Sequence, residues 1–545
     1  MSSSGTMIES DEDVELFNGF GAATFNPQKR TTKRWSFHNN TRPNLVDLPS
    51  EAATSQRRLS DFSGIDGVHK PVDPDNIHGG AQLYSTESGR LFHAGKICIV
   101  LAGLPGRGKT HLSVSLTRYL RWLGVTTHSY HLGNYRRAAA DSLDNDIFLP
   151  SPYAPESIEF RRKIVDDCLN DILHFFKHEK GQIAIYDAVN ALAQDRLELH
   201  KRLTALNIQV LFIESLVTDD SIVMKNIETA AKSSPDYQHW DYDKAYKDYS
   251  DRIKFLTPYY QEMGKEDKDL SYIKIFNFGE RIELHNSNYG YLINKVVFFI
   301  MNARIKTGSL FFARCYKNSL DVTDDPPLDE AGVKYAKNVT KTLVNHLKKM
   351  GRDYAIRFDD SSKASTPKPA PSIKERQPAA GVDGTDDDSL VVWTSVKKRT
   401  IETTQFFAEK GVKIRHRIQL SQKNPGIVGN LTEKEIAEKY PEEYAHYLED
   451  AYHYRFPRAE SYHDLSIKIE PLILEMERMS CDILIIADET VIKVFLGYLL
   501  LCSCYDIPNL EILSDEILEV KFNAYSNTVE KIKIEDFADK QEQSS

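Results

Sequence analysis

Short β-branched apolar runs alternate with stretches of helical periodicity over the middle of the 545-residue chain. The run KICIVLAG (96–103) predicts a buried strand. The following THLSVSLTRYLRWLG (110–124) has apolar residues every three or four positions and stops at a glycine, which predicts an amphipathic helix. Further strands are predicted at THSYHL (127–132), QIAIYDA (182–188), VLFIES (210–215) and SYIKIFNF (271–278). Because helix-like stretches separate these runs, the pattern predicts an α/β domain with a mainly parallel sheet.

A second alternation of strands and helices begins near residue 305. Its predicted elements are the strands GSLFFAR (308–314), LVVWTS (390–395) and DILIIAD (482–488), and the helices LDEAGVKYAKNVTKTLVNHLKKMG (328–351) and ETVIKVFLGYLL (489–500). This pattern is again α/β. We therefore expect two domains, at 93–304 and 305–531.

Three polar segments lack the apolar periodicity of a packed core. Residues 1–92 predict a disordered regulatory tail, 359–389 a flexible insertion, and 532–545 a polar tail. Within the first segment, KRWS and RRLS predict that protein kinases act on Ser36 or Ser60, and a solvated basic tract is the alternative.

Composition narrows the class of protein. The chain is 41% hydrophobic and 27% charged, which is typical of a globular protein, and its formal net charge of −10 argues against a nucleic-acid partner. The longest apolar runs, VIKVFLGYLLLC (491–502) and KVVFFIM (295–301), are too short for a membrane span and predict buried elements. An N-terminus without signal-peptide features and six cysteines without a CxxC pair predict a reduced, cytoplasmic setting.

The stretch between the first strand and its helix matches the phosphate-binding pattern G-x-x-x-x-G-K-[ST]. Glycines let backbone N–H groups converge on phosphate oxygens, and the helix dipole favours negative charge there. The lysine of this pattern neutralises phosphates, and the threonine hydroxyl can bind Mg²⁺. The alternative is a glycine-rich turn that binds nothing. The predicted phosphate-binding residues are Gly103, Leu104, Pro105, Gly106, Arg107, Gly108, Lys109 and Thr110.

A carboxylate and several arginines follow other predicted strands and helices. Asp187, at the end of QIAIYDA, is suited to bind Mg²⁺ or to take a proton from an attacking hydroxyl, although such an aspartate is often only a helix cap. HLGNYRR (131–137) and EFRRK (159–163) carry adjacent arginines. Because arginine binds phosphate in a bidentate way, these predict a phosphorylated small acceptor, and solvent-facing helix charges are the alternative.

Together these motifs resemble the bifunctional 6-phosphofructo-2-kinase/fructose-2,6-bisphosphatase family, in the family's order, over roughly residues 95–530. The kinase half is matched by GLPGRGKTHLSVSLTRYLRWLGV, LGNYRR, IYDAVN, FIES, SSPDY, DRI and YIKIFNFGERI. The phosphatase half is matched by VWTSVKKRTIETT, LTEKEIAEKYPEEYAHYLEDAYHYRFPRAESYHDL and IKIEPLILEMER. The resemblance implies a P-loop kinase domain followed by a phosphoglycerate-mutase-like (histidine phosphatase) α/β domain. It also implies ATP, Mg²⁺, transfer to O2 of fructose 6-phosphate, and a homodimer.

The resemblance assigns roles position by position in the kinase half. It makes Lys109 and Asp187 catalytic and adds Asn226 to the ATP-binding set. The implied sugar-phosphate-binding residues are Arg136, Arg161 and Arg252, and the adjacent arginines of HLGNYRR add Arg137 to this predicted set. Four further sugar-binding positions depart from the family: Val189 replaces a threonine, Asp195 an arginine, Ala231 a lysine and Leu256 a tyrosine. The neighbouring Arg196 and Lys232 are candidate substitutes, and the pattern leaves turnover open.

In the phosphatase half, the family's nucleophile, second histidine and acid are all replaced. Cys315 stands where the family has its nucleophilic histidine, Asp488 where it has a second histidine, and Gln422 where it has the acid glutamate. Arg314, Arg399 and Arg458 persist and are suited to bind an anion. A thiolate nucleophile at Cys315 is disfavoured because YKNSLD offers no anion cradle. The sequence thus predicts a degenerate phosphatase site without bisphosphatase activity.

Three functions remain open from the sequence. The first is a kinase that makes fructose 2,6-bisphosphate, with the phosphatase module kept as a dimer prop or sensor. The second is a pseudoenzyme that binds nucleotide or sugar phosphate as a scaffold. The third is a kinase for a different sugar phosphate.

Overall fold

The computed structural model describes residues 57–58, 79–81, 95–140, 155–237, 239–286, 290–304, 306, 308–316, 325–352, 390–522 and 527–535. In chain order, the elements up to residue 302 are β1 (Arg57–Arg58), β2 (Lys96–Ala102), α1 (Lys109–Trp122), β3 (Thr127–His131), α2 (Leu132–Ala140), α3 (Pro155–His178), β4 (Ile183–Asp187), α4 (Ala193–Thr204), β5 (Ile208–Leu216), α5 (Asp220–Ser233), α6 (Tyr242–Leu256), β6 (Tyr272–Phe276), β7 (Arg281–His285) and α7 (Tyr291–Asn302). From residue 308 they are β8 (Leu310–Arg314), α8 (Glu330–Lys349), β9 (Leu390–Thr394), α9 (Lys398–Glu409), β10 (Lys413–His416), α10 (Glu433–Lys439), α11 (Pro441–Glu449), α12 (Tyr462–Arg478), β11 (Asp482–Ala487), α13 (Glu489–Leu499), β12 (Leu510–Glu511), β13 (Glu516–Phe522) and β14 (Asn527–Lys533).

The first module is built on a six-stranded sheet in the order β3-β4-β2-β5-β6-β7. All neighbours are parallel except β6 and β7. Along β2, Ile97 and Ile99 enter one core cluster, and Cys98 and Val100 enter another. Because successive side chains point to opposite faces, both faces of the sheet are buried under helices. The predicted α/β class is confirmed.

The second module has a sheet in the order β10-β9-β11-β8-β13-β14. Its first four strands are parallel, and β13 and β14 are antiparallel. The predicted domain end at 531 is too early, because β14 continues to Lys533 and Ile534 is buried. β14 is an edge strand with many exposed positions, and its polar residues therefore resemble those of a disordered tail in the sequence.

One hydrophobic core cluster joins the two modules. It includes Leu116 and Tyr119 of α1 as well as Leu465 of α12 and Tyr498 of α13. The Tyr119 ring stacks on Phe299 of α7 with centroids 4.7 Å apart. The helix that follows the phosphate-binding pattern is therefore packed directly against the second module.

Two pieces of the predicted disordered tail have defined positions. β1 pairs in parallel with β12. Residues 79–81 lie between the modules, where the Ala81 N–H donates to the Trp122 carbonyl at 2.9 Å and the Tyr452 hydroxyl donates to the Gly80 carbonyl at 2.6 Å. Ser36, Ser60, the insertion 359–389 and residues 536–545 lie outside the described residues.

The apolar runs that were too short for a membrane span form α7 and α13. Residues 491–499 are buried, as predicted. In α7, however, Phe298 and Met301 are 48% and 54% exposed, so this run is only partly buried. No helix among the described residues is long and apolar enough to cross a membrane.

Candidate active site

The loop between β2 and α1 has the backbone shape that the phosphate-binding pattern requires. Gly103, Gly106 and Gly108 have φ angles of 133°, 73° and 75°, which side chains rarely adopt. At Gly103 a Cβ would also lie 2.6 Å from the Ser215 carbonyl oxygen, so the approach of β5 excludes a larger residue. α1 begins at Lys109, directly after the loop. The glycines and the first N–H groups of α1 thus form a cradle that fits the phosphates of a nucleotide.

Hydrogen bonds from neighbouring elements hold this loop. Asn226 of α5 donates to the Gly106 carbonyl at 2.8 Å, and the Ser215 hydroxyl donates to the Arg107 carbonyl at 2.6 Å. The Gly106 N–H donates to the Tyr249 hydroxyl at 2.9 Å. The structure therefore places Asn226 against the cradle, and its role in binding ATP stays a prediction.

The Lys109 side chain is buried beside the loop. Its ammonium group donates to the Leu104 carbonyl at 2.8 Å. Burial lowers the pKa of Lys109 to about 8, while the charge of Asp187 raises it and that of Arg107 lowers it. A phosphate would offset the desolvation of this ammonium group, so the site favours an anionic ligand.

Asp187 lies at the end of β4, next to β2 in the sheet. The Thr110 hydroxyl and Nδ1 of His131 each lie 2.8 Å from its Oδ2. Burial opposes the charge of Asp187, but the hydrogen bond and charge of His131, together with Lys109 and Thr110, lower the pKa of the carboxyl below its ordinary value. A charged carboxylate beside a threonine hydroxyl is an oxygen donor set that fits Mg²⁺.

Sequence analysis did not single out His131. The residue ends β3, and the register of the parallel pair sets it beside Asp187. Its position near the end of the strand predicted at 127–132 could have identified it, because the carboxyl ends of neighbouring parallel strands lie side by side.

Three of the predicted sugar-phosphate arginines converge on one carboxylate. Asp236 accepts from Arg136 at 2.5 Å, from Arg137 at 2.6 Å and from Arg252 at 3.1 Å. Arg252 also pairs with Asp248 at 2.8 Å. Burial opposes the charge of Asp236, yet the arginines lower its pKa to about 2. α2 and α6 therefore present a positively charged cluster, and sequence analysis missed the aspartate that organises it.

The fourth predicted arginine lies elsewhere. Arg161 is exposed on α3, and its charge acts on Asp195 of α4. Burial and Glu198 raise the pKa of Asp195, and Arg161 and Arg196 lower it. Arg161 therefore lies near Asp195, the residue that replaces an arginine of the family, and not at Asp236.

The two candidate substitutes each have other partners in the structure. Arg196 is fully buried, and its guanidinium donates to both oxygens of Asp267 at 2.8 and 3.0 Å and to three backbone carbonyls. Lys232 is exposed, with its ammonium 5.4 Å from the ring centroid of Tyr242. Ala231 is packed in a cluster with Tyr237 and Ala245. The expectation that Arg196 swings toward a sugar is wrong, because swinging would strand a buried charge.

The remaining two departures lie near the cradle and at the end of α6. The Val189 carbonyl accepts from the Gly103 N–H at 3.1 Å, so this position contacts the loop through its backbone. Leu256 is half-buried at the last position of α6.

The predicted phosphatase site lies at the carboxyl ends of β8 and β11. Arg314 ends β8 and pairs with Glu489 at 3.1 Å, and it donates to the Ile512 carbonyl at 2.6 Å. Lys493, which sequence analysis missed, pairs with the same Glu489 at 2.6 Å. Cationic side chains at this site thus already face a carboxylate of the protein.

Arg399, Gln422 and Asp488 form a second group at the same edge. Arg399 donates to the Gln422 amide oxygen and lies 3.9 Å from Asp488. Asp488 caps α13, where it accepts from the N–H and the hydroxyl of Thr490 at 3.1 and 2.9 Å. The Gln422 amide has no acidic proton to give to a leaving group.

Cys315 and Arg458 complete the predicted phosphatase positions. Cys315 is 5% exposed, and its N–H donates to the Ala487 carbonyl at 2.9 Å. Arg458 is exposed and has a φ of 63°. Arg314, Cys315, Arg399, Gln422 and Asp488 therefore share one sheet edge, and Arg458 lies on a loop outside the strands.

Family models match both modules. The 6-phosphofructo-2-kinase model matches residues 84–307, and the histidine phosphatase superfamily (branch 1) model matches residues 379–535. These matches confirm the order of a kinase fold followed by a phosphatase fold.

Relatives span most of the chain. The Saccharomyces cerevisiae protein YLR345W, with the provisional name 6-phosphofructo-2-kinase/fructose-2,6-bisphosphatase, is 41% identical over 534 residues, which cover 96% of this chain and 98% of the relative. The human 6-phosphofructo-2-kinase/fructose-2,6-bisphosphatase 1 is 31% identical over 439 residues, 80% of this chain and 83% of the relative. The fructose-2,6-bisphosphatase of S. cerevisiae is 28% identical over 443 residues, 80% of this chain and 88% of the relative. The chain therefore belongs to the 6-phosphofructo-2-kinase/fructose-2,6-bisphosphatase family.

Proposed function

We propose that the first module transfers the γ-phosphoryl group of ATP to O2 of fructose 6-phosphate and forms fructose 2,6-bisphosphate and ADP. The observation that carries this proposal is the pairing of Thr110 with Asp187 beside an intact phosphate cradle. The family supports the choice of substrates, since the relatives named above carry the kinase in their names.

The chain's own residues account for binding of the donor. The N–H groups at the end of the 103–108 loop and at the start of α1, together with the Lys109 ammonium, bind phosphate oxygens. Thr110 and Asp187 would hold Mg²⁺, which would supply positive charge where the phosphoryl group is transferred. Asp187 is charged because its pKa is lowered, so it also accepts a hydrogen bond from the attacking hydroxyl.

The arginines of α2 and α6 account for binding of the acceptor. Arg136, Arg137 and Arg252 together bind the 6-phosphate, because guanidinium groups donate in pairs to phosphate oxygens. Asp236 keeps these three cations close to one another despite their repulsion. Arg161 contributes a further positive charge that Asp195 partly cancels.

We also propose that the second module has no fructose-2,6-bisphosphatase activity. Cys315 is buried, Asp488 is engaged as a helix cap, and Gln422 cannot protonate a leaving oxygen.

The remaining expectations concern assembly and setting. A homodimer is supported by the exposed apolar residues Tyr291, Phe298 and Met301 of α7. We retain Ser36 and Ser60 as targets of protein kinases. A cytoplasmic setting is supported by six free cysteines.

One experiment tests the kinase against its two rivals. Release of ADP from MgATP is measured with fructose 6-phosphate and with a panel of other sugar phosphates, with Lys109→Met as the inactive control. Turnover with fructose 6-phosphate supports the proposal. Turnover with another sugar alone supports the altered-acceptor kinase, which the burial of Ala231 and the position of Lys232 favour. Nucleotide binding without turnover identifies a pseudoenzyme.

A second experiment tests the phosphatase proposal. Purified protein is incubated with fructose 2,6-bisphosphate, and inorganic phosphate is measured. We expect none above the buffer blank. Clear release that disappears in Arg314→Ala contradicts the proposal.

A further inference from the structure

At the ends of β3 and β4, His131 contacts the carboxylate of Asp187 in the kinase site. We propose that His131 is a positioning residue that holds the Asp187 carboxylate in one orientation for phosphoryl transfer. This inference rests on the proposed kinase function, because it gives His131 a role toward the carboxylate that would bind the metal.

The sheet places the two residues side by side. β3 and β4 are parallel neighbours, and their register pairs His131 with Asp187. Each side chain is 6% exposed. Nδ1 of His131 lies 2.8 Å from Oδ2 of Asp187, and the Thr110 hydroxyl lies 2.8 Å from the same oxygen. The contact is therefore buried and built into regular structure.

Both nitrogens of the imidazole have a polar neighbour. The charged Asp187 only accepts hydrogen bonds, so Nδ1 carries the hydrogen in this pair. On the other side of the ring, Nε2 lies 3.4 Å from the hydroxyl of Ser129, two residues earlier on the same face of β3. Contacts at both nitrogens fix the plane of the ring and hence the direction of the Nδ1–H bond.

Two donors on one oxygen fix the carboxylate. An aspartate held by one donor can rotate about its Cβ–Cγ bond, whereas Oδ2 here is held by both Thr110 and His131. Among the described residues, the hydrogen bonds to Asp187 reach Oδ2, so Oδ1 is the oxygen that would bind Mg²⁺ or accept from the acceptor hydroxyl. Preorganisation of this kind raises kcat more than it changes binding of the sugar.

Two variants of the full-length protein separate the effect of the hydrogen-bond donor at position 131 from the effect of side-chain volume. His131→Asn keeps an N–H donor at the δ position, and His131→Leu fills a similar space without a donor. For each variant we would measure kcat and KM with fructose 6-phosphate. Independently of turnover, electron paramagnetic resonance would give the Mn²⁺ concentration needed for half-saturation in the presence of a non-hydrolysable ATP analogue. Thermal melting shows whether each variant folds, and His131→Ala replaces the leucine variant if that protein is insoluble.

We expect His131→Leu to lower kcat about 10- to 100-fold and to raise the Mn²⁺ requirement about 10-fold, with KM for the sugar changed less than about threefold. His131→Asn is expected to keep both values within about threefold of the natural protein. Wild-type kcat and Mn²⁺ binding in the leucine variant overturn the inference, as does an asparagine variant as impaired as the leucine variant. If the natural protein turns over no sugar phosphate, the kinase proposal fails while the Mn²⁺ readout still decides the role of His131.

Discussion

At the scale of single residues, Lys109 shows how burial prepares a binding site. Its ammonium group is held by a backbone carbonyl in the cradle, and its pKa is lowered to about 8 because desolvation penalises the charge. Because its pKa is lowered, Lys109 loses its proton at a lower pH than an ordinary lysine does. Since the protonated form binds phosphate, the affinity for ATP must fall over the same pH range.

The first prediction follows from this sign. Lys109 is mostly charged at pH 7 and mostly neutral at pH 9, so we expect the Kd for MgATP to be about tenfold higher at pH 9 than at pH 7. Isothermal titration calorimetry at constant ionic strength measures it. Lys109→Arg is the control. Because arginine stays charged, the Kd of this variant for MgATP should not change between pH 7 and pH 9. An unchanged Kd in the natural protein would contradict the account.

The second prediction concerns the acceptor. Arg252→Ala removes a guanidinium from the cluster at Asp236, and we expect KM for fructose 6-phosphate to rise about 10- to 100-fold, because a charge-assisted hydrogen bond contributes about 1.5–3 kcal/mol. Binding of ATP should not change. Arg202→Ala, which removes an arginine of an exposed pair with Asp166, is the matched control. Equal KM values for the two variants would exclude Arg252 from the acceptor site.

Sequence reasoning reached some of these residues and missed others for physical reasons. Lys109 and Thr110 belong to one contiguous motif, so their proximity could be predicted. Asp236 lies about 100 positions from Arg136 and was invisible until the helices packed. Arg196 was misjudged, because sequence does not reveal that its guanidinium is buried on Asp267.

At the scale of elements, alternation of strands and helices was the reliable signal. The central strands β2, β4 and β5 have long buried runs, and each was predicted within two residues of its observed bounds. The edge strands β7 and β14 were missed because one or both of their faces are exposed and carry charged residues. β13 was missed as well although most of its residues are buried, so burial favoured prediction of a strand without ensuring it.

The third prediction tests the shape of the cradle. Gly103→Ala forces a Cβ to within 2.6 Å of the Ser215 carbonyl, at a φ that alanine rarely adopts. We expect a loss of about 1–3 kcal/mol in unfolding free energy and at least a tenfold weaker affinity for ATP. Urea denaturation and calorimetry measure the two effects. Gly95→Ala is the control, since a Cβ added there would lie more than 4 Å from every described residue other than its chain neighbours. Wild-type affinity in Gly103→Ala would show that the loop adapts freely.

At the scale of the whole molecule, α1 connects the phosphate cradle to the second module. Arg118 of α1 lies 3.1 Å from Glu477 of α12, with both side chains almost fully buried. The Tyr498 hydroxyl of α13 donates to the same carboxylate at 2.7 Å. The second module therefore has a structural role toward the first, because Glu477 neutralises a buried charge on the helix that follows the cradle.

The fourth prediction measures this coupling. Glu477→Ala leaves Arg118 buried without its carboxylate, and we expect the unfolding free energy to fall by about 3–5 kcal/mol. Asp251→Ala, which breaks an exposed pair with Lys254, should cost about 0.5 kcal/mol or less. Urea denaturation of both variants gives the comparison. A cost below about 1 kcal/mol for Glu477→Ala would mean that the modules are not coupled through this pair.

The central claim is that the first module makes a sugar bisphosphate which the second module cannot cleave. Phosphorus nuclear magnetic resonance of one sample with MgATP, fructose 6-phosphate and the natural protein tests both halves together. The account predicts that ADP and fructose 2,6-bisphosphate appear in equal amounts and that the bisphosphate persists without inorganic phosphate. A spectrum without the bisphosphate, or one in which it decays to fructose 6-phosphate and inorganic phosphate, would contradict it.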